Sequence, residues 1–500
     1  MNPALQSKLT TAQAVAELIQ NNEVIGFSGF TIFGNPKLIP PALAERGKAL
    51  HAAGQDFGIS VYTGASVDDQ MDGELARSGV MKMRMPYQSN KDVRSSINRG
   101  DTLYVDQHLS HMSKLIRQGF VPRPTTAIIE AVDVEVHGDK AHVYLSGSAG
   151  SSATYLYSAD RVFIELNSYW GDAMKGVHDV YTCGMQPSVE PIQIMNAGTR
   201  LGKDYVEIPL AKIHGILETN LPDKKGPFDA PDAQSIAIAD YILEFLAHER
   251  KMGRLPEGLP YQSGVGNVAN AVLASMATDP KQAPFSMYTE VLQDSIFQVL
   301  ENDKLQVASA TAFSLSMEGQ NTFKKNAAAW KKHFILRQQE ISNNPEVVRR
   351  LGTISMNTAI EVDIFGNANS THIMGTQMMN GIGGSGDFSR NAYLPIFMTT
   401  STAKGGAISC IVPMVSHVDH HEHDTQIFVS EQGLADLRGL APVPRAREII
   451  KKCAHPDYAP LLTEYLEYGL KNAKGKHTPH TLSRAFEFHN RFLETGTMKV

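Results

Sequence analysis

The feature that most constrains the fold is a buried strand that leads through a glycine-rich loop into a helix. In its first copy, an apolar run at residues 24–27 is followed by glycines between residues 28 and 34 and by a helical pattern over residues 41–50. Such a unit is typical of an open parallel sheet. Further strands are predicted at residues 59–63, 102–105, 126–132, 161–166 and 205–208. The repetition predicts an α/β fold, with a β-hairpin that turns at Gly138-Asp139.

A stretch rich in proline, glycine and charged residues, 220–231, predicts a linker between two domains. A long amphipathic helix is predicted after it, over residues 232–250, and strands then alternate again with helices. Ser28-Gly29 and Ser263-Gly264 each precede a predicted helix, a faint repeat that would fit two related halves. We therefore expect two tandem open α/β domains, residues 1–225 and 226–500.

Composition excludes several classes of protein. The chain has 500 residues, is 42% hydrophobic and carries a net charge of −6, and no basic patch suits a nucleic-acid backbone. No segment approaches the roughly 18 apolar residues of a membrane span, and the N-terminus lacks a signal-peptide pattern. Cys183, Cys410 and Cys453 are far apart and form no metal or redox motif. We expect a soluble, cytoplasmic enzyme that binds neither nucleic acid nor membrane.

Residues 286–294 bring one carboxylate, that of Glu290, to a predicted strand-to-helix turn. Strand-forming residues precede it, and the apolar residues between 291 and 297 have helical spacing. Ligands of open α/β sheets bind at the carboxyl ends of the strands, so Glu290 is a candidate catalytic group. The alternative is an acid in the first helical turn that stabilises the helix dipole.

Two glycine-rich segments are candidate binding loops. The first, Gln262-Ser263-Gly264-Val265-Gly266, offers backbone N–H groups at a predicted helix N-terminus, which suits a phosphate or an acyl oxyanion. It matches neither a P-loop nor a dinucleotide fingerprint, and a tight turn is the alternative. The second, residues 380–388, has four glycines in six positions, and its amides could stabilise an oxyanion. A flexible linker is the alternative there.

Asn343 and Lys404 each have two possible roles, and a histidine-rich segment is a third feature of note. Asn343 either caps the predicted helix at residues 345–351 or directs its amide at a reacting carbonyl. Lys404, in a glycine-bordered loop, either pairs with a phosphate or is an ordinary surface lysine. Residues 417–424 contain four histidines in a link between two strands, but their spacing matches no zinc-binding pattern. No metal site is predicted.

Taken together, these segments resemble the acetyl-CoA hydrolase/transferase family, the class I CoA-transferases. The resemblance runs from residues 26–31 almost to the C-terminus. It includes residues 262–268, 341–346, 379–388, 402–404, 433–439 and 453–456. Within the family, the bacterial succinyl-CoA:acetate and propionyl-CoA:succinate CoA-transferases look most similar.

The resemblance implies that Glu290 carries a glutamyl-CoA thioester and that Asn343 and Gly384 stabilise the oxyanion. It implies contacts with CoA or substrate at Gln262, Ser263, Gly264, Val265, Gly266, Asn380, Gly384 and Lys404. It also implies domains of the CoA-transferase type, a homodimer, and CoA as a substrate with no permanently bound cofactor. The expected reaction moves CoA between succinyl-, acetyl- or propionyl-CoA and a carboxylate, with succinyl-CoA:acetate as the expected pair. Hydrolysis of acetyl-CoA is the alternative, and a non-catalytic ligand-binding protein built on the same α/β frame is a hypothesis from another class.

Overall fold

The computed structural model describes residues 2–226, 230–264 and 266–500, which form alternating strands and helices. The strands of the first range are β1 (Glu23–Phe27), β2 (Ile59–Tyr62), β3 (Met81–Met85), β4 (Leu103–Tyr104), β5 (Thr126–His137), β6 (Lys140–Leu145), β7 (Arg161–Asn167), β8 (Val206–Pro209) and β9 (Ile213–Thr219). Its α-helices are α1 (Pro3–Gln6), α2 (Ala12–Leu18), α3 (Ile39–Ala52), α4 (Glu74–Arg77), α5 (Lys91–Arg99), α6 (Met112–Arg117) and α7 (Ser152–Ser158).

The later ranges continue the alternation with shorter strands. The strands are β10 (Tyr261–Ser263), β11 (Phe285–Tyr288), β12 (Val291–Leu292), β13 (Leu305–Ala310), β14 (Ala312–Phe313), β15 (Phe334–Leu336), β16 (Ile354–Thr358), β17 (Glu361–Asp363), β18 (Ala368–Asn369), β19 (His372–Ile373), β20 (Gln377–Met378), β21 (Leu394–Met398), β22 (Thr402–Ala403), β23 (Ile408–Ser409), β24 (Ile411–Val412), β25 (Ile427–Ser430) and β26 (Gly433–Asp436). The α-helices are α8 (Ala233–Lys251), α9 (Asn267–Thr278), α10 (Ser295–Glu301), α11 (Met317–Trp330), α12 (Gln339–Ser342), α13 (Pro345–Leu351), α14 (Ser385–Ser389), α15 (Pro442–Cys453), α16 (Ala459–Asn472) and α17 (Glu487–Thr495). None of the described helices is long and apolar enough to cross a lipid bilayer.

Packing divides the chain into two compact units. Unit 1 comprises Met1–Phe228, Ser286–Ile296 and Leu305–Leu351, and unit 2 comprises Asp229–Phe285, Phe297–Lys304 and Gly352–Val500. The first change of unit lies within the predicted linker, of which residues 227–229 are outside the described part of the chain. Two later segments return to unit 1, so Glu290 packs with the N-terminal residues. The division into sequence domains 1–225 and 226–500 stays a prediction.

Unit 1 contains the predicted parallel sheet. Its parallel strands lie in the order β4-β3-β2-β1-β5-β7-β9. Alternate residues of β5 belong to two different apolar clusters: Ala127 and Ile129 lie in one, and Ile128 lies in the other. Both faces of the sheet are buried because helices cover them. Beyond its parallel part, β5 pairs antiparallel with β6 and turns between His137 and Lys140. The predicted hairpin is therefore confirmed.

The structure differs from the sequence prediction directly after Glu290. Val291 and Leu292 do not begin a helix but form β12, which pairs in parallel with β14, and the helix begins only at Ser295. Residues 305–313 likewise form two strands, β13 and β14, because the N–H groups of Thr311 and Ala312 turn to the Glu290 carbonyl. The helix predicted from the apolar spacing after Glu290 is wrong at Val291 and Leu292, because these two buried residues pair with β14, which is distant in sequence.

Within unit 2, parallel strands lie in the order β10-β16-β21-β25, and β26 pairs antiparallel with β25. Helices α15, α16 and α17 contribute to an apolar cluster that also contains Phe397 of β21 and Phe428 of β25. Cys410, which is buried, and Cys453, in this cluster, are not paired in a disulfide. Burial raises the pKa of each thiol to about 12, so both are inert.

A buried ion cluster fixes the loop after β1. The ammonium group of Lys37 pairs with Glu130 and, at 3.0 Å, with Asp223, and all three side chains are almost inaccessible to solvent. Asp223 also accepts a hydrogen bond from the Gly34 N–H at 3.2 Å. Because the carboxylates are buried, removing the ammonium group leaves negative charges without compensation.

We predict that Lys37→Met lowers the free energy of unfolding of unit 1 by about 3–5 kcal/mol, the cost of breaking a buried ion pair. Lys48→Met is the matched control, because Lys48 and its partner Glu45 have side chains 46% and 71% exposed, and such pairs contribute about 0–1 kcal/mol. Urea unfolding followed by tryptophan fluorescence measures both, since Trp170 and Trp330 are the chain's two tryptophans and belong to unit 1. Equal losses in the two variants would contradict the prediction.

Candidate active site

The main chain of Glu290 is fixed between two strands. Its carbonyl accepts hydrogen bonds from the N–H groups of Thr311 and Ala312, at 2.8 and 3.1 Å. The hydroxyl of Tyr288 donates to the Ile341 carbonyl at 2.7 Å, which ties the end of β11 to α12. The helix dipole does not act on Glu290 as proposed for a first-turn acid, because α10 begins at Ser295.

The side chain of Glu290 is held by Asn343. The Nδ2 group of Asn343 donates to Glu290 Oε1 at 2.5 Å, and Asn343 itself is fully buried. The hydroxyl of Ser342 donates to Asn343 Oδ1 at 2.9 Å, which turns the amide so that its NH₂ group faces the carboxylate. The structure thus brings together two residues predicted from sequence.

Asn343 does not cap helix α13. The neighbouring Asn344 does so, since its Oδ1 accepts from the N–H groups of Glu346 and Val347 at 3.0 and 3.4 Å. The prediction that Asn343 caps this helix is therefore wrong, and the role of its amide toward a reacting group stays a prediction.

Apolar residues surround the Glu290 segment. Val291 and Ala312 belong to a small buried cluster with Phe30, Ala65 and Leu109, and Tyr87 packs against it. Burial raises the pKa of Glu290 to about 7, and the hydrogen bond from Asn343 lowers it only in part. The carboxylate is therefore costly to ionise but can be ionised near neutral pH.

Loops from the sheet of unit 1 converge on the same segment. The Gly147 carbonyl accepts from the Phe313 N–H at 3.0 Å, and the Ala149 N–H donates to the Thr311 carbonyl at 2.9 Å. Gly150 has φ of +47°, and a Cβ atom there would lie 2.9 Å from the Gly29 carbonyl oxygen. Glycine is required at this position because the loops after β1 and β6 approach so closely.

The first candidate CoA loop lies in unit 2. The Oε1 atom of Gln262 accepts from the Met356 N–H at 3.1 Å and from Asn357 Nδ2 at 3.2 Å, so its buried amide is engaged with β16. Ser263 ends β10, and the Gly264 N–H donates to the Met356 carbonyl at 3.0 Å. Val265 is outside the described residues. Gly266, with φ of +124°, directly precedes α9.

The other predicted contact residues also belong to unit 2. Asn380 Nδ2 donates to the carbonyls of Ser370 and Gly381, at 2.9 and 3.0 Å. Gly384 directly precedes α14. Lys404 is exposed, has φ of +48°, and places its Nζ 4.9 Å from the centre of the Phe492 ring. Their roles in binding CoA stay predictions.

Sequence reasoning missed several residues around Glu290. The apolar cluster of Phe30, Ala65 and Leu109 comes from three separate loops, and the Ser342 hydroxyl that orients Asn343 lies in the segment 341–346, in which the resemblance assigned a role to Asn343 alone. A single sequence carries no periodic signal for side chains that meet from loops. The segment 26–31, noted for its resemblance, was the one available indication of Phe30.

Among the residues that the structure describes, one group of three metal-ligating side chains has its ligand atoms within 4.8 Å of one another, and it is not in residues 417–424. It consists of Glu135, His137 and His142 on the β5–β6 hairpin. Glu135 is already paired with Lys175 at 3.1 Å and accepts from the Tyr144 hydroxyl at 3.0 Å. The Glu135 carboxylate is therefore already engaged by these two side chains.

Fold and site together define a class of protein. It is an α/β protein that presents a glutamate of raised pKa, hydrogen-bonded by a buried amide and flanked by apolar residues. A carboxyl group in such surroundings is typical of an enzyme active site.

Comparison with known proteins places the chain within this class. Models of the acetyl-CoA hydrolase/transferase N-terminal and C-terminal domains match residues 3–218 and 319–466. The chain is 47% identical over 499 residues to the succinyl-CoA:acetate CoA-transferase of Clostridium kluyveri, covering 100% of this chain and 91% of that protein. It is 44% identical over 489 residues to the propanoyl-CoA:succinate CoA transferase of Escherichia coli, covering 98% of each. The chain belongs to the acetyl-CoA hydrolase/transferase family of enzymes.

The chain is also similar to a protein named as a hydrolase and, in fold, to a solved CoA-transferase. The acetyl-CoA hydrolase of Schizosaccharomyces pombe is 39% identical over 515 residues, covering 100% of this chain and 98% of that protein. The solved structure of a 4-hydroxybutyrate CoA-transferase from Porphyromonas gingivalis matches with a TM-score of 0.61 at 17% identity, over 93% of this chain and 98% of that chain. The predicted α/β fold of the CoA-transferase type is confirmed.

We predict that Glu290→Gln stabilises unit 1 at alkaline pH. The pKa of Glu290 is raised from 4.5 to about 7 in the folded protein, so ionisation opposes folding, and the opposing effect is lost as the pH falls toward 4.5. The gain should reach up to about 3 kcal/mol above pH 7 and vanish near pH 4. Urea unfolding at several pH values measures it. The exposed Glu218→Gln is the control, and a gain independent of pH would contradict the prediction.

Proposed function

We propose that the chain transfers CoA from a short-chain acyl-CoA to a carboxylate acceptor through a glutamyl-CoA thioester on Glu290. The observation that carries the proposal is the half-buried Glu290 carboxylate, whose pKa is raised to about 7 and which accepts a hydrogen bond from Asn343. Succinyl-CoA and acetate are the proposed substrates, supported by the name of the Clostridium kluyveri relative.

A carboxylate suits this reaction because its acyl adducts are about as reactive as the substrates. The Glu290 carboxylate attacks the thioester carbonyl of the acyl-CoA, and the CoA thiolate leaves as a mixed anhydride forms. The thiolate then attacks the Glu290 carbonyl of the anhydride, which releases the donor acid and leaves glutamyl-CoA. The acceptor carboxylate repeats the two steps in reverse. A thioester is consumed and a thioester is produced, so no external energy source is required.

The surroundings of Glu290 fit each of these steps. Its apolar neighbours limit hydration of the carboxylate, which raises its nucleophilicity. Each tetrahedral intermediate carries an oxyanion, and one hydrogen-bond donor to it is worth about 2.7–4 kcal/mol. We assign this role to Asn343 Nδ2, already directed at the reacting carboxyl group, together with the Gly384 amide.

The residues of unit 2 supply the proposed CoA contacts. The exposed ammonium group of Lys404 suits a phosphate of CoA, and the N–H groups that begin α9 suit a second anionic group. The side-chain amides of Gln262 and Asn380 already bond within the protein. We therefore propose that these two residues shape the binding loops, and that the contacts at Ser263, Gly264, Val265, Gly266 and Gly384 are made by the main chain.

Hydrolysis of acetyl-CoA is the second candidate, because 39%-identical relatives are named acetyl-CoA hydrolases. In that reaction water intercepts the anhydride or the glutamyl thioester. The apolar cluster beside Glu290 disfavours water at the reacting carbonyl and so favours transfer. We also propose a cytoplasmic homodimer, on the family resemblance, which light scattering on the purified chain would test.

We predict that borohydride, added to enzyme loaded with succinyl-CoA, reduces the side chain of Glu290 to an alcohol, detected by mass spectrometry of its peptide. Glu290→Ala should abolish both this product and turnover. Asn343→Ala should retain the product but lose about 10²–10³-fold in kcat. It should also shift the pH dependence of kcat/KM upward, because the hydrogen bond lowers the pKa of Glu290. Turnover by wild-type enzyme without any reduced product would refute the proposal.

Transfer and hydrolysis are separated by the dependence of turnover on the acceptor. We predict that succinyl-CoA is consumed at a significant rate only when acetate or another short carboxylate is present, with formation of a new acyl-CoA, because water is poorly accommodated beside Glu290. Chromatography of the CoA species measures this. Release of free CoA at the same rate with and without acetate would favour the hydrolase.

A further inference from the structure

We infer that His420 is a positioning residue for the glycine loop, residues 380–386, and that Asp419 and Asp424 of the same link support that loop and the residue after α14. The four histidines of residues 417–424 are conspicuous in the sequence, but their spacing predicts no role for them. The inference rests on the proposed function, because it takes Gly384 of this loop as part of the CoA-transfer site. All of the residues concerned belong to unit 2.

His420 contacts the loop directly after Gly384. Its Nε2 atom lies 3.0 Å from the hydroxyl oxygen of Ser385, the first residue of α14. The Ser385 hydroxyl donates its hydrogen to the Ile382 carbonyl at 2.9 Å. With that hydrogen on the Ile382 carbonyl, the hydroxyl accepts from His420, and we assign the His420 tautomer that carries hydrogen on Nε2. The imidazole thus fixes a hydroxyl that closes the loop on itself.

The imidazole is itself firmly placed. His420 is fully buried, and its ring lies 4.8 Å from the ring of Phe397 in β21. Its main chain pairs with Ala368 of β18, through an N–H to carbonyl hydrogen bond of 3.0 Å and the reverse bond of 2.7 Å. A side chain supported by two strands can hold a loop that has few side chains of its own.

Asp419 fixes the other end of the loop. Its carboxylate accepts from the Ser370 N–H at 2.7 Å and from the Thr371 hydroxyl at 2.8 Å. The Ser370 carbonyl in turn accepts from Asn380 Nδ2 at 2.9 Å, and the Thr371 carbonyl accepts from the Met379 N–H at 2.7 Å. Adjacent residues of one segment therefore support both ends of the loop.

Asp419 and Asp424 also bind Arg390, the residue that follows α14. Arg390 Nε donates to Asp424 Oδ2 at 2.9 Å, and Arg390 Nη2 donates to the Asp419 carbonyl at 3.0 Å. In contrast, His421 and His423 are exposed, and their Nδ1 atoms face each other at 3.2 Å. His421 Nε2 also lies 3.4 Å from Asp424 Oδ2, so the exposed His423 is the control within the same segment.

The loop needs such support because of its backbone. Gly383 has φ of +59°, and glycines on either side leave the chain with many accessible conformations. If the Gly384 amide donates to the oxyanion, a small change in its direction should reduce the rate of the chemical step more than the binding of acyl-CoA. Misplacement by about 1 Å can cost about 10²-fold in rate.

The first test compares His420→Leu, which removes the donor, with His420→Gln, which keeps an N–H group of similar reach. His420→Leu should lower kcat by about 10²-fold and leave KM for acyl-CoA within about twofold, and His420→Gln should recover most of the loss. The control variant His423→Ala should match wild type. Wild-type kcat in His420→Leu, or a loss in His420→Gln equal to that in His420→Leu, would overturn the inference.

Ser385→Ala tests the same hydrogen bond from the other side, should His420→Leu fold poorly. Its loss in kcat should resemble that of His420→Leu, and combining the two substitutions should add little, because both remove one interaction. Independent, additive losses would contradict the assignment.

Hydrogen exchange separates failure of this inference from failure of the proposed function. In ligand-free protein, amides of residues 380–386 should exchange faster in His420→Leu and in Ser385→Ala than in wild type or in the His423→Ala variant. This result does not depend on the reaction, whereas borohydride reduction at Glu290 tests the reaction alone. Unchanged exchange in both variants would refute the inference even if Glu290 is reduced.

Discussion

The contact between Glu290 and Asn343 is the interaction on which the candidate site depends. Burial makes the carboxylate costly to ionise, while the Asn343 amide favours its charged form. The balance leaves the group able to gain or lose a proton near neutral pH. The surrounding hydrogen bonds fix both partners, one through the paired strands β12 and β14 and the other through the Ser342 hydroxyl.

The candidate nucleophile and the predicted CoA loops belong to different compact units. Unit 1 supplies Glu290 and Asn343, and unit 2 supplies the loop before α9, the glycine loop before α14, and Lys404. In both units, glycine-rich loops at strand ends are fixed by buried polar side chains. Lys37 does this for the loop after β1, and Asp419 and His420 do it for the loop before α14. Glycines allow close backbone approach, and the buried polar contacts remove the freedom that glycines introduce.

Much of the fold could be predicted because strand and helix periodicities are local. The first strand–loop–helix unit, the hairpin at Gly138-Asp139 and helix α13 lie where the sequence indicated. Residues 291–292 were misassigned because their pairing partner, β14, is 21 residues away and an apolar pair fits either periodicity. The sequence position of Glu290 and the family resemblance predict Glu290 and Asn343 as site residues. The apolar cluster beside Glu290 comes from three distant loops and has no local sequence signature.

Unit 1 is discontinuous along the chain, and this has a consequence for synthesis. Its first 228 residues leave the ribosome well before strands β11 to β15, which complete it and end before residue 351. Until then, the loops that meet the Glu290 segment lack their partners, and Phe30 and Leu109 remain in contact with water or with chaperones. The nascent chain therefore carries an unfinished apolar surface during about a quarter of its translation, and slow elongation between residues 228 and 351 would prolong its exposure to aggregation.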